Sequence, residues 1–138
     1  MTAVTERPAV RPLAVTSTVL AVVVASAVLT SLIALAAQGA GAGFPPLQPG
    51  VYLTFAVLGT LAALGGWLLV VRFVRRSARA LRMLVPVLVV LSLIPDVVLL
   101  VTGFIPGTTA AGAVALMLMH PVVAASAAIA GQRIAPAR

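Results

Sequence analysis

The chain contains no cysteine, no lysine and only two acidic residues, Glu6 and Asp96. The lack of cysteine excludes disulfides, thiolate metal sites and a cysteine nucleophile. Charged residues make up 8% of the chain, whereas soluble domains carry about 25%. Because 62% of the residues are hydrophobic and no segment is long enough for a separate soluble domain, we predict a single transmembrane domain over residues 1–138.

Aromatic residues are also scarce, at 4% of the chain, and their scarcity argues against a nucleic-acid partner. The net charge is +7, but the nine arginines flank apolar runs, and no aromatic residues interleave with them as a base-stacking surface requires. Anionic lipid headgroups on the cytoplasmic side are the predicted counter-charge. The predicted lipid contacts are Arg72, Arg75, Arg76, Arg79 and Arg82.

Four long apolar runs occupy most of the chain, at residues 13–37, 51–71, 83–102 and 109–130. Each has the length of about 20 residues that an α-helix needs to cross a bilayer. The runs lack the alternation of a barrel strand, and backbone groups in lipid must be satisfied within the segment. The sequence therefore predicts an all-α, integral membrane four-helix bundle.

The first apolar run has a basic start and a small-residue end, which are also features of a signal peptide. A signal peptide has an apolar region of about 7–15 residues, and this run is about 25 residues long. We therefore predict that it stays in the protein as a membrane-spanning helix.

The arginines predict the orientation of the bundle. They precede the first run, fill the connection at residues 72–82 and follow the last run, whereas residues 38–50 and 103–108 carry no charge. Under the positive-inside rule, both termini and the basic loop 72–82 are cytoplasmic, so the prediction is N-in/C-in in the inner (plasma) membrane of the cell. Tyr52 and Trp67 near the two ends of the second run fit an aromatic belt.

Asp96 is the most informative residue, because an acid inside an apolar run is costly in lipid and normally faces a bundle interior. The only histidine, His120, lies in the middle of the next run, and Ser92 lies one helical turn from Asp96. These three residues form the predicted intramembrane polar site. At 1.5 Å per residue, Asp96 and His120 differ in depth by roughly 7 Å, so a contact between them requires helix tilt, side-chain reach or a bridging water.

Three roles for the polar pair are open. Asp96 and His120 could hold the last two helices together, they could handle a proton or a ligand, or they could bind a metal. One histidine and one aspartate are too few for a closed metal site in one chain, so we predict no metal. Pro95 and Pro121 adjoin the pair and each removes a backbone hydrogen bond, which predicts a kink near both polar residues.

Small residues at four-residue spacing mark predicted packing surfaces. They are Ser17, Ala21 and Ala25 on the first run and the pairs Gly59/Ala63 and Ala62/Gly66 on the second run. Packing within one bundle and packing between the subunits of a homo-oligomer are both open. No phosphate-binding glycine loop, nucleophile elbow or pair of carboxylates is present, so we predict no cofactor and no catalytic residue.

The order of motifs resembles one known kind of protein. An arginine-rich connection is followed by Ser92-Leu93-Ile94-Pro95-Asp96 and then by Ala115-Leu116-Met117-Leu118-Met119-His120. This order is similar to that of a family of small four-helix membrane proteins of unknown function from actinobacteria. The resemblance implies the topology and no activity. From the residues we predict a non-enzymatic membrane interaction or accessory protein with a buried Asp/His pair, with an oligomeric transporter or proton-coupled carrier as the alternative.

Overall fold

The computed structural model describes residues 12–138, which form helices joined by short connections. Arg7 and Arg11, on which part of the predicted orientation depends, lie outside the described residues. The helices are α1 (Pro12–Gly39), α2 (Pro49–Phe73), α3 (Ser77–Ser92), α4 (Ile94–Thr102) and α5 (Ala110–Ile134), with a 3-10 turn at Pro45–Leu47. α3 and α4 together form one span, so four segments are long and apolar enough to cross a membrane. The predicted all-α four-helix membrane fold is confirmed.

The basic connection is shorter than the 72–82 loop that the apolar runs indicate. α2 continues to Phe73 and α3 begins at Ser77, so three residues, 74–76, join the two helices. Arginine has a high helix propensity, and its long stem keeps the guanidinium in water beside an apolar surface. A helix can therefore continue through arginines beyond the hydrocarbon region, and hydropathy alone places its end too early.

The third span is broken at Leu93, between α3 and α4. Pro95 lies in the first turn of α4, where its missing N–H costs no helical hydrogen bond. At the break, the Ser92 hydroxyl donates to the carbonyl oxygen of Val89 at 2.7 Å. α5 instead continues through Pro121 as one helix. The proline beside Asp96 thus separates two helices, whereas the proline beside His120 does not.

α1, α2 and α5 form the packed core of the bundle. The buried residues of α1 recur about every four positions, at Val22, Ser26, Thr30, Ala34 and Ala37. α2 follows the same period, and α5 buries mostly small residues, which allow close helix approach in lipid. The hydroxyls of Ser26 and Thr60 hydrogen-bond across the α1–α2 contact at 3.1 Å.

The small-residue stripe predicted on the first run does not pack within the bundle, and packing between subunits stays a prediction for it. Ser17, Ala21 and Ala25 are exposed, and the buried stripe that begins at Val22 lies one position further along the helix. The aromatic-belt interpretation is wrong, because Tyr52 and Trp67 are both buried. Tyr52 Oη donates to Ser31 Oγ at 3.2 Å, and Trp67 Nε1 donates to the Ala135 carbonyl at 3.1 Å.

The connection between α1 and α2 closes one end of the bundle, called here the loop end. Phe44 and Leu47 are each 1% exposed and pack against the ends of α1, α4 and α5. The Phe44 ring occupies the space that a side chain at Gly112 would need. Thr109 caps the start of α5 at this end, where its side chain accepts a hydrogen bond from Gly112 N–H at 3.1 Å.

The opposite end, called here the basic end, holds the arginines of the described chain. Ser77 is 2% exposed, and its hydroxyl accepts a hydrogen bond from Arg138 N–H at 2.9 Å. The Ala78 N–H donates to the Arg138 carbonyl at 2.8 Å. These contacts attach the start of α3 to the segment that follows α5.

Candidate functional site

α3 packs loosely between its two ends, and this arrangement creates the site. Only Ser77 and Leu81, in its first two turns, are buried, and α4 buries Asp96 and Leu99 further along the span. Residues 82–92 have no fully buried member. The third span is therefore held at the basic end and beyond Leu93, and its middle stands away from α2 and α5.

The space between α3 and its neighbours α2 and α5 forms a cavity of about 590 Å³ toward the loop end. This volume is within the range of about 300–1,000 Å³ that small-molecule sites have. Its wall is mainly apolar, with Gly59 of α2, Val89 of α3 and Val123 of α5 among the lining residues. Phe55 and Leu88 also line it and are 71% and 59% exposed, so the cavity opens sideways between α2 and α3.

A second cavity of about 220 Å³ continues along the same seam toward the basic end. Leu88 lines both cavities. The small residues Ala62, Ala63 and Gly66, predicted to be a packing surface of α2, line this second cavity. They leave space between α2 and α3 instead of filling it, whereas Gly59 lies against Val123 of α5.

Asp96 and His120 lie together in the wall of the larger cavity. His120 Nδ1 is 3.1 Å from Asp96 Oδ2, so the depth difference counted along ideal helices is closed. The Asp96 side chain is 10% exposed and the His120 side chain 35%. The two residues predicted from the sequence to form a polar pair are thus in contact, and the role of that pair stays a prediction.

Two oxygen atoms lie close to Nδ1 of His120, and only one of them accepts a hydrogen bond from it. Nδ1 lies 2.9 Å from the carbonyl oxygen of Leu116, and since a carbonyl can only accept, this hydrogen bond places a proton on Nδ1. The N–H is directed to that carbonyl, and Asp96 Oδ2 is buried without any hydrogen-bond partner among residues 12–138. The carboxyl group therefore lies in a mainly apolar wall, and one of its two oxygen atoms receives no hydrogen bond from residues 12–138.

Ser92 lines the same cavity but does not bond to the pair, because its hydroxyl donates to Val89 at the helix break. Thr30 and Tyr52, which the sequence did not indicate, also line the cavity. Thr30 Oγ1 donates within α1, at 2.9 Å from the Ser26 carbonyl, and Tyr52 donates to Ser31. Helix periodicity could not identify these residues, because α1 and α2 are apolar on all sides.

The predicted lipid-contacting arginines lie around the basic end. Arg72 lies in the last turn of α2, with its guanidinium carbon 5.8 Å from the centre of the Phe73 ring, and Arg75 and Arg76 lie in the connection. Arg79 and Arg82 follow on α3, and all five side chains are exposed. Their place is compatible with anionic headgroups and leaves that contact a prediction.

Comparisons with known proteins identify a family and no activity. A family model described as a family of unknown function, DUF6069, matches residues 9–137. No curated protein matches the chain. No solved structure matches it either. The resemblance to a family without a known function is confirmed, and the comparisons carry no catalytic or binding residue.

Proposed function

We propose that this chain, which belongs to the DUF6069 family of unknown function, is a non-enzymatic membrane accessory protein that binds a lipophilic molecule in its larger cavity. The observation that supports the proposal is the combination of an apolar cavity with one polar pair, Asp96 and His120, in its wall. Ligand sites commonly join a mainly apolar lining to a few polar groups that orient the ligand. The lateral opening beside Phe55 and Leu88 lets a molecule enter from the bilayer.

Photo-crosslinking in liposomes tests this function. Dodecanol with a diazirine on its chain is expected to label residues that line the cavity when illuminated with the protein in liposomes. Val89→Phe is expected to lower that labelling about tenfold, because the larger ring occupies the cavity.

Val90→Phe is the matched control, since Val90 is the next residue of α3 and is 64% exposed on its outer side. This variant is expected to keep the labelling of the parent. Labelling confined to residues outside the cavity lining, or lowered equally by both substitutions, would refute the proposed function.

The alternative is an oligomeric proton-coupled carrier that uses Asp96 and His120. The observation that favours it is the 35% exposed imidazole, which meets both the cavity and the carboxyl group. Under this alternative, a pH gradient across liposomes drives movement of a bound solute, and Asp96→Asn abolishes that movement because an amide does not titrate in the same range. The accessory function requires no such movement.

The proposal includes the plasma membrane, an actinobacterial source and an N-in/C-in orientation. The orientation is supported by the position of the arginines, because the seven that are described all lie at the basic end or on the helices and segments that reach it. The exposed arginines at residues 72–82 would then contact anionic headgroups on the cytoplasmic side. A homo-oligomer or another membrane protein as partner belongs to the same proposal.

Single cysteines test the orientation cleanly, because the natural chain has none. Gly43→Cys at the loop end is expected to react with a membrane-impermeant maleimide added outside intact cells, since position 43 is exposed. Pro136→Cys, at an exposed position of the basic end, is expected to react only after the membrane is opened. Reaction of both variants, or of Pro136→Cys alone, in intact cells would show that the orientation is wrong.

A further inference from the structure

We propose that the molecule bound in the larger cavity is a lipophilic amine, with its ammonium group at Asp96 and its apolar body along the α2–α3–α5 seam. This inference depends on the proposed function and adds the chemical class of the ligand. Asp96 is the only acidic residue among residues 12–138, and no arginine lines the cavity. Within the wall, His120 is the one group that can supply a positive charge to the carboxyl group.

None of the hydroxyl groups in the cavity wall donates a hydrogen bond to the carboxyl group of Asp96. Thr30 donates to backbone carbonyls of its own helix, and Tyr52 donates to Ser31. Ser92 donates to Val89, and the His120 N–H is directed to Leu116. Each donor of the lining side chains is thus used elsewhere, and Asp96 Oδ2 has His120 Nδ1 at 3.1 Å but accepts no hydrogen bond from residues 12–138. A ligand that enters the cavity can bring a donor to the part of the Asp96 carboxyl group that lines it.

A cationic donor fits this position better than a neutral or an anionic group. A hydrogen bond to a charged group is stronger than one between neutral groups, and an ammonium group also brings a permanent positive charge to a carboxyl group in an apolar surrounding. A carboxylate or phosphate headgroup would be repelled by Asp96 and has the exposed arginines of the basic end as its natural contact. Asp96 in the cavity and the arginines at the basic end would thus favour headgroups of opposite charge.

The apolar part of the ligand follows the seam. The larger cavity reaches from Pro46 at the loop end to Leu88 and Val123, and the smaller cavity continues from Leu88 toward Trp67. An alkyl or branched hydrocarbon tail that starts at Asp96 can extend along this path in contact with small and aliphatic side chains. The lateral opening gives the tail access from the bilayer core.

Three photoreactive probes with the same diazirine chain test the ligand class: dodecylamine, dodecanol and dodecanoate. In the parent protein, dodecylamine is expected to label the cavity about tenfold more than dodecanol, and dodecanoate least. Asp96→Asn is expected to bring labelling by dodecylamine down to the level of dodecanol, because a neutral amide does not attract an ammonium group as a carboxylate does.

The outcomes separate this inference from the function on which it depends. Equal labelling of the cavity by all three probes would refute the inference that the ligand is an amine, while the proposed binding function would stand. No labelling of the cavity by any probe would refute both. Should Asp96→Asn fail to fold, the comparison of headgroups in the parent protein decides the question, since it needs no variant.

Discussion

Gly131→Ala is expected to destabilise the bundle by about 3 kcal/mol, at the upper end of the usual cost of overpacking. A Cβ at this position would lie 2.5–2.6 Å from three carbons of the Trp67 ring. The ring has little room to move away, because it is 7% exposed and its Nε1 is bound to the Ala135 carbonyl. Unfolding of purified protein in detergent, followed by circular dichroism, measures the effect.

Gly65→Ala is the matched control for this substitution. Gly65 lies within α2, and a Cβ there would meet nothing within 4 Å. The variant is expected to be unchanged or more stable by about 0.5–1 kcal/mol, because alanine favours a helix over glycine. Trp67→Leu in the Gly131→Ala background is expected to recover part of the loss, and the double-mutant cycle measures the coupling between the two positions. Equal effects of Gly65→Ala and Gly131→Ala would contradict this packing.

Phe44→Ala is expected to destabilise the protein by about 3–5 kcal/mol. Its ring is 1% exposed and covers Gly112 and Gly107 at the loop end, so truncation leaves a void among residues that cannot all move inward. Phe104→Ala is the control, because Phe104 lies in the other connection of the same end and is 64% exposed. That variant is expected to change the free energy of unfolding by less than about 1 kcal/mol. A similar loss for both variants would show that Phe44 does not close the bundle.

The number and type of helices followed from the sequence because they depend on local properties. Length and hydropathy of each run are enough to predict a spanning helix, and all four spans are present. The ends of α2 and α3 were harder, since arginines continue a helix beyond the apolar run. The break at Leu93 could not be predicted from proline alone. Pro95 lies in the first turn of α4 after a break, whereas α5 continues through Pro121 without one.

The buried faces could not be predicted, because α1 and α2 are apolar around their whole circumference. In α1 the small and hydroxyl residues Ser26, Thr30 and Ala34 are buried, and large residues such as Leu32 are exposed. Lipid solvates large aliphatic side chains, so helix contacts in a membrane select small and hydrogen-bonding residues instead. The stripe that begins at Ser17 follows the same rule, but it is exposed in the bundle, one position away from the buried stripe that begins at Val22.

Asp96 and His120 were identified from the sequence because a titratable group in an apolar run is rare and costly. Their separation could not be derived, since counting along ideal helices leaves a depth difference of roughly 7 Å, whereas the two side chains are 3.1 Å apart. The cavity itself had no signal in the sequence. A cavity depends on which side chains fail to meet, and the loose middle of α3 is a property of the whole packing.

The most direct measurement of the central claim is the distance between Asp96 and His120 in a lipid bilayer. Each is the only residue of its type in the chain, so labelling aspartate with ¹³C at Cγ and histidine with ¹⁵N marks a single pair. Solid-state NMR dipolar dephasing between the two labels then reports their separation. Strong dephasing is expected from the Nδ1–Oδ2 distance of 3.1 Å. Absence of dephasing would show that the two side chains do not meet and would contradict a polar site in the cavity wall.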